Sequence, residues 1–191
     1  MSSGPHRRTD DVVVCAQRAV EGAGKEGWVT VRPLRVIGDP VLRTPSDQVV
    51  RFDAALAALV ADLLDTVQVP GRAGLAANQI GSSLAVFAYN VDSKLGYVIN
   101  PVLTETSGEQ DGGEACLSIP GVSANRHRAA HAVVTGVDLE RGPITVSGDG
   151  ELARCLQHET DHLHGELYID ALTGAQRRDV LRALREQDLA G

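Results

Sequence analysis

The sequence predicts a single α+β domain, with strands gathered into hairpins and helices set before and after them. Three observations carry that expectation. The 191 residues suit one domain with a real core. Short β-like runs between residues 84 and 146 are separated by only a few turn residues. Periodic helical segments flank them, over residues 53–67 and again from about residue 151.

Composition narrows the classes further. Hydrophobic residues make up 43% and charged residues 23%, the balance of an ordinary soluble globular protein. Aromatic residues are only 3%, so the core must be built from Val, Leu, Ile and Ala. A formal net charge of -7 argues against a nucleic-acid grip by bulk electrostatics, and no specific nucleic acid is expected as a partner. The basic patch Arg126-His127-Arg128 reads as a solvated loop. No apolar run approaches the roughly 18 residues of a membrane span. The patch Val12-Val13-Val14-Cys15-Ala16 is cut short by Gln17 and Arg18, too early for a signal-peptide core. Cys15, Cys116 and Cys155 are odd in number and far apart, so no disulfide framework is implied and a cytoplasmic location is expected.

Residues 1–27, rich in Gly, Ser and charge, are expected to form an N-terminal extension, with a short helix around Asp11 to Val20; the catalytic domain is assigned to residues 28–191. Val29-Thr30-Val31 and Leu34-Arg35-Val36-Ile37 read as short extended pieces broken by Pro33 and Gly38. From Asp53 to Val67, apolar residues recur at three- and four-residue steps, with Asp53 as the cap. The small-residue stretch Arg72 to Gly81 reads, taken alone, as a tight turn. Leu84–Val91 and Tyr97–Leu103 read as strands joined across Asp92-Ser93-Lys94, and Ala129–Leu139 and Ile144–Val146 as strands around Arg141-Gly142-Pro143. Asp111 to Gly121 reads as a glycine-bounded loop carrying Glu114, Cys116 and Ser118. A helix is expected from about Glu151 to His164, stopped by Gly165, and a last one from Gly174 to Gln187.

Gln157-His158-Glu159-Thr160-Asp161-His162 carries the chemistry. On a helix, His158 and His162 stand one turn apart on one face and can grip a single metal ion. Glu159 lies about 100° round, off the ligand pair but within reach of an open coordination position. This is the His-Glu-x-x-His arrangement of metal-dependent hydrolases. Two histidines need a third protein ligand. Continuing the helix by the metzincin spacing gives Tyr168, which is no ligand, and a later-helix glutamate is offered only by Glu186. His164 lies about 200° from His162 and faces elsewhere. Cys116 remains, with Cys155 as a conceivable extra ligand.

Gly74-Leu75-Ala76-Ala77-Asn78-Gln79, Glu114-Ala115-Cys116-Leu117-Ser118 and Gln157 to Gly165, in this order, resemble the three signatures of peptide deformylase, and the resemblance runs from about Val31 to the C-terminal helix. It implies the peptide-deformylase fold, antiparallel sheets around a central metal-binding helix with a C-terminal helix. It implies Cys116, His158 and His162 as metal ligands and Glu159 as general base. Gln79 and the Leu117 N–H would bind the oxyanion, with Gly74, Ala73, Glu114, Arg154 and Cys155 as substrate contacts. The implied cofactor is one divalent ion, Fe2+ in the cell, with Ni2+, Co2+ or Zn2+ able to replace it. The implied substrate is the N-formylmethionyl end of new polypeptides, with a transient ribosome contact as a further implied partner.

Departures from the pattern are Arg72 and Ala115 at glycine positions and Ser123 where many relatives carry an arginine. They motivate one alternative, a deformylase-like amidase for a specialised formylated substrate. The other is a non-catalytic, metal-stabilised formyl-peptide-binding protein, against which Glu159 and Gln79 speak, since a structural site needs neither base nor oxyanion donor.

Overall fold

The computed structural model describes residues 30–188, so the expected extension over residues 1–27 and its short helix lie outside the described residues. Helix α1 (Ala54–Val67) starts at Asp53, whose carboxylate accepts hydrogen bonds from the N–H groups of Ala55 and Leu56. That satisfies donors the first turn would otherwise leave orphaned. Seven strands follow in chain order: β1 (Gly74–Ala76), β2 (Val86–Val91), β3 (Lys94–Ser107), β4 (Gly113–Cys116), β5 (Ile119–Asn125), β6 (His131–Val137) and β7 (Pro143–Asp149). Helices α2 (Gly150–Leu163) and α3 (Gly174–Asp188) complete the described residues.

β1, β2, β3, β6 and β7 form one antiparallel sheet in that spatial order, and β4 pairs with β5 in a separate hairpin. Asp92 and Ser93 turn β2 into β3 with φ of 50° and 63°, the left-handed geometry a tight hairpin demands. The large sheet is covered on both faces. Val86, Ala88 and Ile99 pack with Leu56, Val60 and Leu63 of α1, whereas Phe87 and Val98 pack with Leu152 and Leu156 of α2. Alternate residues of β2 therefore serve opposite cores, which is why the run from Leu84 to Ala88 is apolar throughout. A third cluster, including Leu42, Ile119, Tyr168 and Val180, joins the hairpin to α3.

The fold class is the expected α+β arrangement around the motif helix, but three local readings are corrected. Residues 30–37 join no strand. Their N–H groups are bonded singly, Thr30 to the Asp65 carboxylate (2.9 Å), Arg32 to Thr66 Oγ1 (3.0 Å), Arg35 to the Gln79 carbonyl (2.7 Å) and Ile37 to the Ser118 carbonyl (2.8 Å). Pro33, lacking an N–H, breaks any continuous ladder there. Residues 72–81 are more than a turn: they hold the edge strand β1 and a single 3-10 turn, Ala77–Ile80, closed by Gly81 at φ 90°. The supposed loop at 111–121 contains β4 and the start of β5.

Candidate metal centre

Helix α2 is buried at eleven of its fourteen positions, including Arg154, Gln157, His158, Glu159 and His162. Polar groups that deep need partners. The Nε2 atoms of His158 and His162 stand 3.2 Å apart. Cys116, the last residue of β4, brings its Sγ within 3.1 Å of His162 Nε2, and the ligand atoms of all three residues lie within 4.8 Å of one another.

The protonation pattern fits a cation. His158 Nδ1 lies 2.8 Å from Glu114 Oε1; although burial alone would lower its pKa, the bonds to Cys116 and Glu114 raise it well above the ordinary value, so a bound cation would take the place of the Nε2 proton. Burial, reinforced by His158, holds His162 well below its ordinary pKa, so its ring stays neutral. The Ser118 N–H donates to Cys116 Sγ at 3.4 Å and fixes the direction of the sulfur. One sulfur and two imidazole nitrogens facing a common point form a donor set that first-row divalent metals accept.

Glu159 sits beside this cluster, 3% exposed, with Oε2 lacking any protein hydrogen-bond partner among the described residues. Burial pushes its carboxyl up to about 7, against the pull of the neighbouring His158. The fit is tight because residue 74 is glycine: a Cβ there would stand 2.7 Å from Cys155 Sγ and 2.8 Å from Glu159 Cδ. Gln79 is fixed by its own amide: Oε1 accepts from the Ala76 N–H at 2.8 Å, and Nε2 donates to Ser118 Oγ at 3.2 Å while lying 3.7 Å from Cys116 Sγ.

A cavity of about 700 Å³ opens over the cluster. Ala73 and Gly74 border it on the β1 side, Leu117 and Ser123 on the hairpin side, and Glu151, Arg154, Cys155 and Glu159 along α2. The structure thus brings the sequence-selected residues together at one cleft, with His162 in the ligand cluster beside it. Glu114 borders the cavity, and its carboxylate is turned to His158, Arg128 (2.7 and 2.9 Å) and Arg154 (2.9 Å). Burial alone would raise the Glu114 pKa, but the bonds from His158 and Arg128 hold it well below the usual carboxylate range. Cys155 stands outside the ligand cluster: burial raises its thiol pKa, and the S–H donates to the Ala73 carbonyl at 3.3 Å.

Sequence reasoning overlooked the residues that hold these in place. Arg126 and Arg128 are not a solvated patch. Both bond Asp161, at 3.0 and 2.7 Å, and both face Glu114. Asn78 anchors the far side through an Nδ2–H bond to the His162 carbonyl. The clue lay in the pairing of Arg126 and Arg128 with acids at Glu114 and Asp161, inside or beside the motifs already singled out.

Comparison with known proteins agrees with this geometry. The family described as Polypeptide deformylase matches residues 31–178. The chain is 49% identical over 163 residues to a peptide deformylase of Acidothermus cellulolyticus, covering 85% of this chain and 91% of that protein. It is 48% identical over 158 residues to peptide deformylase 2 of Streptomyces coelicolor, covering 80% and 88%. The crystal structure of a peptide deformylase from Legionella pneumophila superposes with a TM-score of 0.79 at 33% identity, covering 84% of this chain and 97% of that one. That of the Synechococcus elongatus enzyme in complex with actinonin gives 0.76 at 32%, covering 87% and 92%. Matched along most of its length by this family and by these relatives, the chain belongs to the polypeptide deformylases.

Proposed function

We propose that the protein hydrolyses the N-formyl group from the initiating methionine of new polypeptides, releasing formate and a free amine. The observation that carries the reading is the convergence of Cys116, His158 and His162 beside a buried Glu159 carboxylate, its Oε2 without a partner among the described residues, at the bottom of a cleft. Cys116, His158 and His162 would hold one divalent ion. Such an ion supplies Lewis acidity and lowers the pKa of a bound water toward neutrality. Ferrous iron is the ion assigned in the cell, on the family resemblance; the donor set itself also suits nickel, cobalt or zinc.

The remaining steps belong to the chain. Glu159 takes the proton of the attacking water and returns it to the departing amine. The water oxygen bonds to the formyl carbon, the C–N bond breaks, and formate leaves. Gln79 Nε2 and the Leu117 N–H receive the charge that develops on the formyl oxygen; one such donor typically accounts for about 2.7–4 kcal/mol. The peptide lies between the free edge of β1, at Ala73 and Gly74, and the β4–β5 hairpin, with its first side chain over Arg154 and Cys155. The complex of the Synechococcus relative with actinonin, a peptide-like inhibitor, supports a peptide-shaped cleft.

Residues 28–191 are assigned to one catalytic domain acting in the cytoplasm, where polypeptides emerge from the ribosome and where a transient contact with it would serve. Among the described residues no helix is long and apolar enough to cross a membrane. The test is deformylation of formyl-Met-Ala by anaerobically prepared protein, with metal content measured in parallel. Stoichiometric metal with turnover lost in Glu159→Ala is the expected result. Turnover that survives Glu159→Ala would remove the assigned base.

A further inference from the structure

One helical turn before His158, the floor of the cleft carries a charge where an initiating methionine side chain would rest. Arg154 is 6% exposed and borders the cavity. Its hydrogen bonds among the described residues leave from Nη1, to Glu114 Oε2 at 2.9 Å and to the Arg126 carbonyl at 3.0 Å. A guanidinium carries five N–H donors in a fixed fork. Those on Nε and Nη2 hold neither bond, and unlike Nε and Nη1 of Arg126 these atoms are not sealed away without a partner.

Charge balance says what they would meet. Arg126, Arg128 and Arg154 share two acids, Glu114 and Asp161, so the cluster keeps one positive charge in excess. Glu151, exposed, borders the same cavity one turn further back and opposes an incoming anion. A purely apolar side chain leaves the Arg154 donors unanswered, and a carboxylate meets Glu151. A neutral acceptor satisfies both.

Building on the deformylase reading, we infer that the pocket for the first side chain accepts neutral, hydrogen-bond-accepting groups, with Arg154 as the donor that selects them. The member of that class closest to an initiating methionine is its sulfoxide, in which the thioether sulfur carries an oxygen. The reaction is unchanged: water adds at the formyl carbon, the C–N bond breaks, and the sulfoxide is untouched.

The test compares kcat/KM for formyl-methionine-sulfoxide-Ala and formyl-norleucine-Ala, the latter with a methylene in place of sulfur and no acceptor. The ratio is taken within one metal-loaded preparation, so it is independent of the active fraction. The wild-type protein is expected to use the sulfoxide at no less than about a tenth of the norleucine rate, and Arg154→Leu to lower the ratio by about tenfold or more, the usual loss for a bond to a charged donor. A ratio that falls by less than about tenfold in Arg154→Leu would overturn the inference. Should that variant not fold, the wild type decides alone: a preference for norleucine above about tenfold is the behaviour of a pocket without an available donor and would overturn the inference. Absence of any formyl hydrolysis by metal-loaded wild type, formyl-Met-Ala included, would instead overturn the deformylase reading on which the inference rests.

Discussion

Substituting alanine for Gly74 tests how closely the edge strand and the base are fitted. The added methyl would stand 2.8 Å from Glu159 Cδ, 2.7 Å from Cys155 Sγ and nearer still to Glu159 Oε1. Carbon atoms rest at about 3.5–4.0 Å, so the carboxylate must retreat by about 0.7 Å or more. Glu159 is 3% and Cys155 4% exposed, so the displacement must be taken up toward the cavity that both border. Two effects follow. Overpacking of this kind destabilises by about 1–3 kcal/mol. Misplacing a reacting group by about 1 Å costs on the order of a hundredfold in rate, and the shift here predicts a loss of about ten- to a hundredfold in kcat. The assay is steady-state deformylation of formyl-Met-Ala with metal content and thermal midpoint measured on the same sample. A lowered kcat with normal metal occupancy is the expected result. A Gly74→Ala protein with wild-type kcat and wild-type midpoint would refute the claim that residue 74 must lack a side chain for Glu159 to sit where it does.

Three further outcomes are expected. Glu114→Gln removes the carboxylate shared by His158, Arg128 and Arg154; leaving buried guanidinium groups without it should destabilise by about 3–5 kcal/mol, and loss of the His158 partner should weaken metal affinity about 10–100-fold, measured by denaturant unfolding and competitive chelation. Chelation should abolish turnover and lower the thermal midpoint, both restored on adding back a divalent ion, because a cation bound only by the folded state stabilises it. Asp170 accepts from Arg43 and from the Leu167 N–H; against the opposing effect of burial, these partners hold its carboxyl below the usual range. A depressed folded value contributes stability above the unfolded pKa of about 3.9 and loses it as pH falls through the folded one. The stability advantage of wild type over Asp170→Asn should therefore be flat from about pH 5 to 7 and shrink below about pH 4.

Legibility in the sequence followed the range of the interaction that fixes each element. Helix α1 could be read because its stripe and its Asp53 cap are local signals. The motif helix could be read for the same reason, since His158 and His162 share a face by helical spacing alone. The β4–β5 hairpin could not, because Gly112, Gly113 and Ala115 offer no apolar alternation and its pairing is set by contacts with the helix region. Residues 30–37 read as extended pieces because nothing local reveals that their N–H groups are bonded to Asp65, Thr66, Gln79 and Ser118. Arg126 and Arg128 looked solvated because their acid partner Asp161 lies 35 and 33 residues away. The ligand set itself required the family resemblance: elimination among later residues left Cys116 standing, but only the folded chain puts its sulfur 3.1 Å from His162 Nε2.

X-ray absorption on the zinc-loaded protein examines the metal centre most directly. The account predicts one sulfur scatterer at about 2.3 Å and two imidazole nitrogens at about 2.0–2.1 Å, with the sulfur shell absent in Cys116→Ser. A wild-type spectrum without sulfur, or one that Cys116→Ser leaves unchanged, would contradict it.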